Sequence, residues 1–140
     1  MTEWDQAEFD RFVIDNGVVG FFERVIVLAS GKESNWYANW RILVDDVHRT
    51  EQLAEYVIGF TRHLDLQPDC FYGVPEGATK IGIITQYIWA KAFLYYSPGS
   101  HALPMGRANQ KNHGAPRYRD YVGIPRGGTV VIEDVTTTGG

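Results

Sequence analysis

The stretch that decides the fold is Thr129–Gly140, TVVIEDVTTTGG. Thr129 to Ile132 are β-branched, which predicts a short strand buried on both faces. Two carboxylates follow at once, Glu133 and Asp134, and then Thr136, Thr137, Thr138, Gly139 and Gly140. Open α/β sheets bind ligands beyond the carboxyl ends of their strands. A Thr/Gly turn in that position can aim backbone N–H groups and hydroxyls at an anion. The carboxylates just before it can accept hydrogen bonds from sugar hydroxyls. One stretch therefore offers a phosphate cradle beside a diol acceptor, which is what holding a ribose 5-phosphate requires.

Working outward, Cys70–Val74 predicts another short strand. It leads into a Gly-containing loop, Pro75-Glu76-Gly77-Ala78-Thr79-Lys80, and a helix over Ile81–Lys91. Gly77 permits close backbone approach, and Thr79 and Lys80 can offer donors to an anion. Asp45–Leu64 carries the longest helical pattern, with Val47, Leu53, Ala54, Val57, Ile58, Phe60 and Thr61 at helical spacing. Asp45 or Asp46 can cap its start. A further strand is expected over Phe93–Tyr96. Upstream, residues 4–16 read as a helix ended by Asn16-Gly17. Glu23–Leu28 and Trp36–Leu43 read as two strands of a hairpin turned at Ser30–Glu33, rich in aromatics at Trp36, Tyr37 and Trp40. Strands alternating with helices place the chain in the α/β class. Residues 1–44 form a helix and a hairpin, residues 45–140 the α/β core, and together they make a single compact domain.

Ser97–Gly128 has little apolar periodicity, apart from a possible edge hairpin near Tyr118–Val122. Loops this long in a compact domain tend to be functional or mobile. His101, Arg107, Lys111, His113, Arg117, Arg119 and Arg126 concentrate there, with Asp120 the clear acid. The whole chain carries a formal net charge of −4, so this local excess suits an anionic ligand rather than nucleic acid. With 140 residues, 44% of them hydrophobic, one core can be filled. Cys70 is the only cysteine, which excludes an internal disulfide and argues against a cysteine-based zinc site. The start, MTEWDQAEFDRF, lacks the features of a signal peptide, and no apolar run is long enough to span a membrane. The expectation is a cytoplasmic protein that is no membrane partner.

Three motifs then narrow the reading. Thr129–Gly140 resembles the phosphoribosyl-pyrophosphate (PRPP) motif of type I phosphoribosyltransferases. Leu28–Arg41, LASGKESNWYANWR, resembles the N-terminal segment of the orotate phosphoribosyltransferases, and Gly106–Gly114, GRANQKNHG, resembles their mobile catalytic loop. The motifs fall in family order and the similarity covers most of the chain. The resemblance implies the type I phosphoribosyltransferase fold, a mostly parallel central sheet flanked by helices under a small N-terminal hood. It also implies a fragment, because family members continue for about one further sheet-and-helix unit.

What the resemblance implies chemically is Mg²⁺-dependent displacement of pyrophosphate from PRPP by orotate, giving orotidine 5′-monophosphate. Lys111, Arg107 and His113 would neutralise the departing pyrophosphate when the loop closes, His113 also serving as a proton donor. Glu133 and Asp134 would hold the ribose hydroxyls, and Thr136, Thr137, Thr138, Gly139 and Gly140 the 5-phosphate. Gly77, Thr79 and Lys80 would contact pyrophosphate, while Lys32 and Tyr37 in the hood would meet the base. Mg²⁺ would be bound mainly through PRPP, with no dedicated protein metal site, and a homodimer with loop exchange is implied. Two departures stand out. Ala29 and Ala108 occupy positions where the family often has lysine. They keep open a phosphoribosyltransferase for another purine or pyrimidine base, or a non-catalytic PRPP- or nucleotide-binding regulator.

Overall fold

The structure, a computed structural model, describes residues 3–135. Helix α1 spans Gln6–Asp15, and the Asp5 side chain caps it by accepting from the Glu8 N–H at 3.0 Å. Gly17, at φ 65°, turns the chain out of the helix, a conformation that glycine adopts without a Cβ penalty. Val18, fully buried, anchors the entry to the hairpin. That hairpin pairs β1 (Val19–Val27) with β2 (Glu33–Ala38) antiparallel, with a register shift between Phe21 and Ile26.

Both hairpin strands differ from the sequence expectation. The first begins at Val19 rather than Glu23, and the second ends at Ala38 rather than running to Leu43. The cause of the early stop is Asn39. Its N–H donates to the Val18 carbonyl at 2.7 Å, and its side chain accepts from the Arg41 N–H at 3.2 Å. Trp40–Ile42 therefore becomes a single 3₁₀ turn, which drops Leu43 fully into the core.

Helix α2 (Val47–His63) is capped by Asp46, and it buries Thr50, Leu53, Ala54, Ile58 and Thr61 at the spacing of one helical face. Strand β3 (Cys70–Gly73) follows, then α3 (Thr79–Lys91). The chain next forms β4 (Met105–Gly106), a 3₁₀ turn at Pro116–Tyr118, β5 (Tyr121–Gly123) and β6 (Thr129–Ile132). β3 and β6 pair in parallel, Cys70 opposite Thr129 through Gly73 opposite Ile132. β4 and β5 pair antiparallel. The edge hairpin expected near Tyr118–Val122 is thus real, but its partner strand lies at Met105–Gly106. Among the described residues the parallel part of the sheet is the β3–β6 pair.

One core cluster joins Phe12 of α1, Val18, Leu43, Leu53 and Ala54 of α2, and Ala78 and Ile81 at the start of α3. Residues 1–44 and the α/β unit therefore share packing. A second cluster, Ile58, Phe71 and Trp89, fills the space between α2, β3 and α3. At the α3–β3 crossing the backbones nearly touch. A Cβ added at Gly73 would run into the Ala78 carbonyl, and one added at Gly82 into the Gly73 backbone.

Two further expectations are corrected. Phe93–Tyr96 is not a strand. The Phe93 N–H donates to Ala90 O at 3.2 Å and the Tyr96 N–H to Phe93 O at 3.1 Å, so turn bonds satisfy this backbone locally. Its rings pack instead: Phe93 against Trp89, and Tyr95 stacked on His101 with centroids 5.3 Å apart. Nor is β6 buried on both faces, since Val131 is 59% exposed.

Candidate functional site

The carboxyl ends of β3 and β6 lie side by side because the two strands are parallel and in register. The Val74 N–H donates to Ile132 O at 2.9 Å, extending the pairing to the point where both loops leave the sheet. The first loop, residues 74–78, contains a cis Pro75–Glu76 peptide and turns directly into α3. No side chain caps that helix; its N-cap residue is Ala78. The second loop begins with Glu133 and Asp134.

The two loops meet at Gly77. The Asp134 carboxylate lies against the Gly77 Cα, in the space a Cβ would need. Glycine is required here by this close approach rather than by a special dihedral. The Asp134 side chain is 8% exposed, and its Oδ2 accepts from Arg41 Nε at 2.9 Å. That ion pair raises the Arg41 pKa, first through the hydrogen bond Arg41 donates to Asp134 and then through the carboxylate's charge, with Tyr37 and Glu76 adding to the effect. Glu133 is exposed and accepts from the Asp134 N–H at 3.0 Å. A cavity of about 460 Å³ opens beside Gly77, Glu133 and Asp134, with Trp4, Phe9, Trp40 and Tyr56 among its walls.

The other candidates sit as follows. Thr79 is half-buried in the first turn of α3. Lys80 is also in that turn, not in the loop, because the helix starts at Thr79 rather than Ile81. Its Nζ donates to Val44 O at 3.0 Å and to Asp45 Oδ1 at 3.3 Å, tying α3 to the start of α2. Lys32 is exposed at the hairpin turn beside Gly31, and Tyr37 is half-buried on β2 opposite Gly20. Thr136, Thr137, Thr138, Gly139 and Gly140 lie outside the described residues.

Arg107, Lys111 and His113 occupy an arm between β4 and β5. Backbone bonds close its base: the Arg107 N–H donates to Asp120 O at 2.7 Å and the Lys111 N–H to Arg119 O at 3.0 Å. Gly114, at φ 89°, turns the tip. Lys111 and His113 are exposed there and, among the described residues, enter no ion pair. The structure brings Gly77, Asp134 and Arg41 together, while the Arg107 Nε donates to Tyr118 O within the arm at 3.4 Å.

In the sequence Arg41 stands only as the last residue of the Leu28–Arg41 stretch. Its partner lies 93 positions away, and no local pattern encodes such a pair. Sequence reading also missed Gln86, which is buried and bridges two elements. Gln86 Oε1 accepts from the Phe71 N–H at 2.9 Å, while Nε2 donates to Ala102 O at 2.6 Å. A polar residue on the apolar face of α3 was the available signal. Among the described residues no group of three His, Cys, Asp or Glu is arranged to hold a metal ion.

No family model matches the chain. Among curated proteins it is 28% identical to the orotate phosphoribosyltransferase of Pyrococcus abyssi over 135 residues, covering 96% of this chain and 68% of that one. It is 33% identical to the orotate phosphoribosyltransferase of Bradyrhizobium diazoefficiens over 122 residues, covering 82% of this chain and 60% of that one. The chain thus spans between 60% and 68% of the length of these relatives. Among solved structures, the orotate phosphoribosyltransferase of Francisella tularensis superposes with a TM-score of 0.60 at 19% identity, over 92% of this chain and 57% of that one. By sequence and by architecture the chain is similar to the orotate phosphoribosyltransferases over most of its length, and it carries the type I phosphoribosyltransferase fold.

Proposed function

We propose that the chain binds PRPP across the two loops that meet at Gly77 and Asp134, and that it transfers the phosphoribosyl group to orotate. The carrying observation is the apposition of the Asp134 carboxylate to the Gly77 backbone at the carboxyl ends of two parallel strands. Ligand sites of open α/β sheets lie at that position. The similarity to named orotate phosphoribosyltransferases supports the choice of substrates.

In this reading Asp134 and Glu133 accept hydrogen bonds from the ribose hydroxyls. The N-terminal end of α3, free of any side-chain cap, faces the pyrophosphate with its positive dipole end. A ring nitrogen of the base forms a bond to C1 of the ribose as the C1–O bond to pyrophosphate breaks. Pyrophosphate leaves with the electron pair, and the base nitrogen loses its proton. Negative charge grows on the leaving group, so fixed cations lower the barrier. Lys111, Arg107 and His113 supply that charge when the arm folds over the cradle, and closure excludes water. Mg²⁺ fits as an ion carried by the substrate. Such an ion takes phosphate oxygens and few protein ligands, and it would offset pyrophosphate charge.

The exposed arm also fits exchange between the subunits of a homodimer, in a cytoplasmic enzyme of pyrimidine synthesis. The test is turnover of PRPP with orotate and Mg²⁺, followed by orotate's ultraviolet absorbance. The expected result is a loss of absorbance that requires both PRPP and Mg²⁺. Unchanged absorbance with PRPP still bound in calorimetry would overturn the assignment of orotate. Absence of PRPP binding would overturn the site.

A further inference from the structure

Arg41 belongs to the N-terminal hairpin unit, yet its side chain reaches the acid at the end of β6. The geometry points to Arg41 as a positioning residue for Asp134, holding the ribose-binding carboxylate in its working orientation from the hood side. This assignment rests on the proposed PRPP site.

Three observations support it. First, the contact is specific: Nε donates to Oδ2 at 2.9 Å, which leaves Oδ1 to accept from a sugar hydroxyl. Second, the Asp134 side chain is 8% exposed and lies against the Gly77 backbone, so water has little access to replace a lost partner. Third, Arg41 is itself held in place. Its N–H donates to Asn39 Oδ1, its neighbour Trp40 stacks on Phe9 with centroids 6.1 Å apart, and Leu43 is fully buried. The guanidinium side chain remains 64% exposed, so the link adds little to global stability. Its consequence lies in orientation. Glu76 and Tyr37 are the other groups that act on the Arg41 charge. Lysine at this position would keep the charge but lose the rigid planar donor.

The test is calorimetric titration of PRPP into the wild-type chain, Arg41→Gln, Arg41→Lys, Asp134→Asn and the Arg41→Gln/Asp134→Asn double variant, with near-ultraviolet circular dichroism to confirm folding. Arg41→Gln should weaken PRPP binding about tenfold. Arg41→Lys should recover part of that loss. The double variant should bind within about twofold of Asp134→Asn alone, because the two residues act as one unit. Wild-type affinity in Arg41→Gln, or losses that multiply fully in the double variant, would overturn the assignment while leaving the PRPP site intact. If Arg41→Gln does not fold, Arg41→Lys decides. An affinity equal to wild type overturns the assignment, and one about threefold weaker supports it. A wild-type chain that binds no PRPP would overturn the functional reading and this assignment with it.

Discussion

Asp134 and Lys111 sit in opposite surroundings. Asp134 is almost enclosed, pressed on Gly77 and bonded to Arg41. Lys111 stands exposed on an arm that backbone bonds hold at its base. The first arrangement is built before any ligand arrives, which suits a group that must bind in a fixed geometry. The second keeps cations in water, which suits the role proposed for them, charge needed only while pyrophosphate departs. In the proposed reading, holding the substrate and activating it thus fall to a packed region and an open one.

Substitutions in the packed region should cost more than those outside it. The largest effect is expected at the base of the packed region. Gly73→Ala forces a Cβ into the Ala78 carbonyl, and urea unfolding should show a loss of about 3 kcal/mol. Gln86→Leu keeps the volume but strands the Phe71 N–H and the Ala102 carbonyl. The same measurement should give about 2 kcal/mol.

Gly77→Ala moves from the scaffold to the cradle. Its Cβ displaces the Asp134 carboxylate, so PRPP affinity should fall about tenfold, equivalent to about 1.4 kcal/mol. Near-unchanged affinity would show that the close contact is incidental.

The smallest effect concerns pH. Burial pushes the Tyr72 phenol above its ordinary value of 10.0, and burial with the bond to Glu8 does the same for Tyr56. Each group favours its neutral form in the folded state. Its contribution to stability is therefore full below about pH 10 and is lost as pH rises through the folded value. Tyr72→Phe should flatten the alkaline limb of the stability curve, and a limb as steep as the wild type's would contradict this.

How much was legible in the sequence follows from how local each signal is. The helices α1, α2 and α3 were readable because burial recurs at helical spacing and Asp5 and Asp46 provide caps. The β3–loop–α3 unit and β6 were readable because short apolar runs end in loops rich in glycine or acids. Phe93–Tyr96 misled because a short apolar run does not reveal whether a partner strand exists. Here turn bonds and the Tyr95–His101 stack take its place. Trp36–Leu43 misled because Asn39, a single capping residue, converts strand to 3₁₀ turn. At the site, Glu133, Asp134 and Gly77 were marked by motif. The grip of Arg41 on Asp134 joins residues far apart in the chain, so only the fold displays it. The Thr/Gly portion of the motif lies outside the described residues.

The division between holding and activating is tested most directly by measuring PRPP binding and orotate turnover side by side in Asp134→Asn and Lys111→Ala. Asp134→Asn should lose PRPP binding, by about tenfold or more. Lys111→Ala should bind PRPP nearly as wild type while its turnover falls by about a hundredfold. Equal losses of binding and turnover in both variants, or no loss in either, would contradict it.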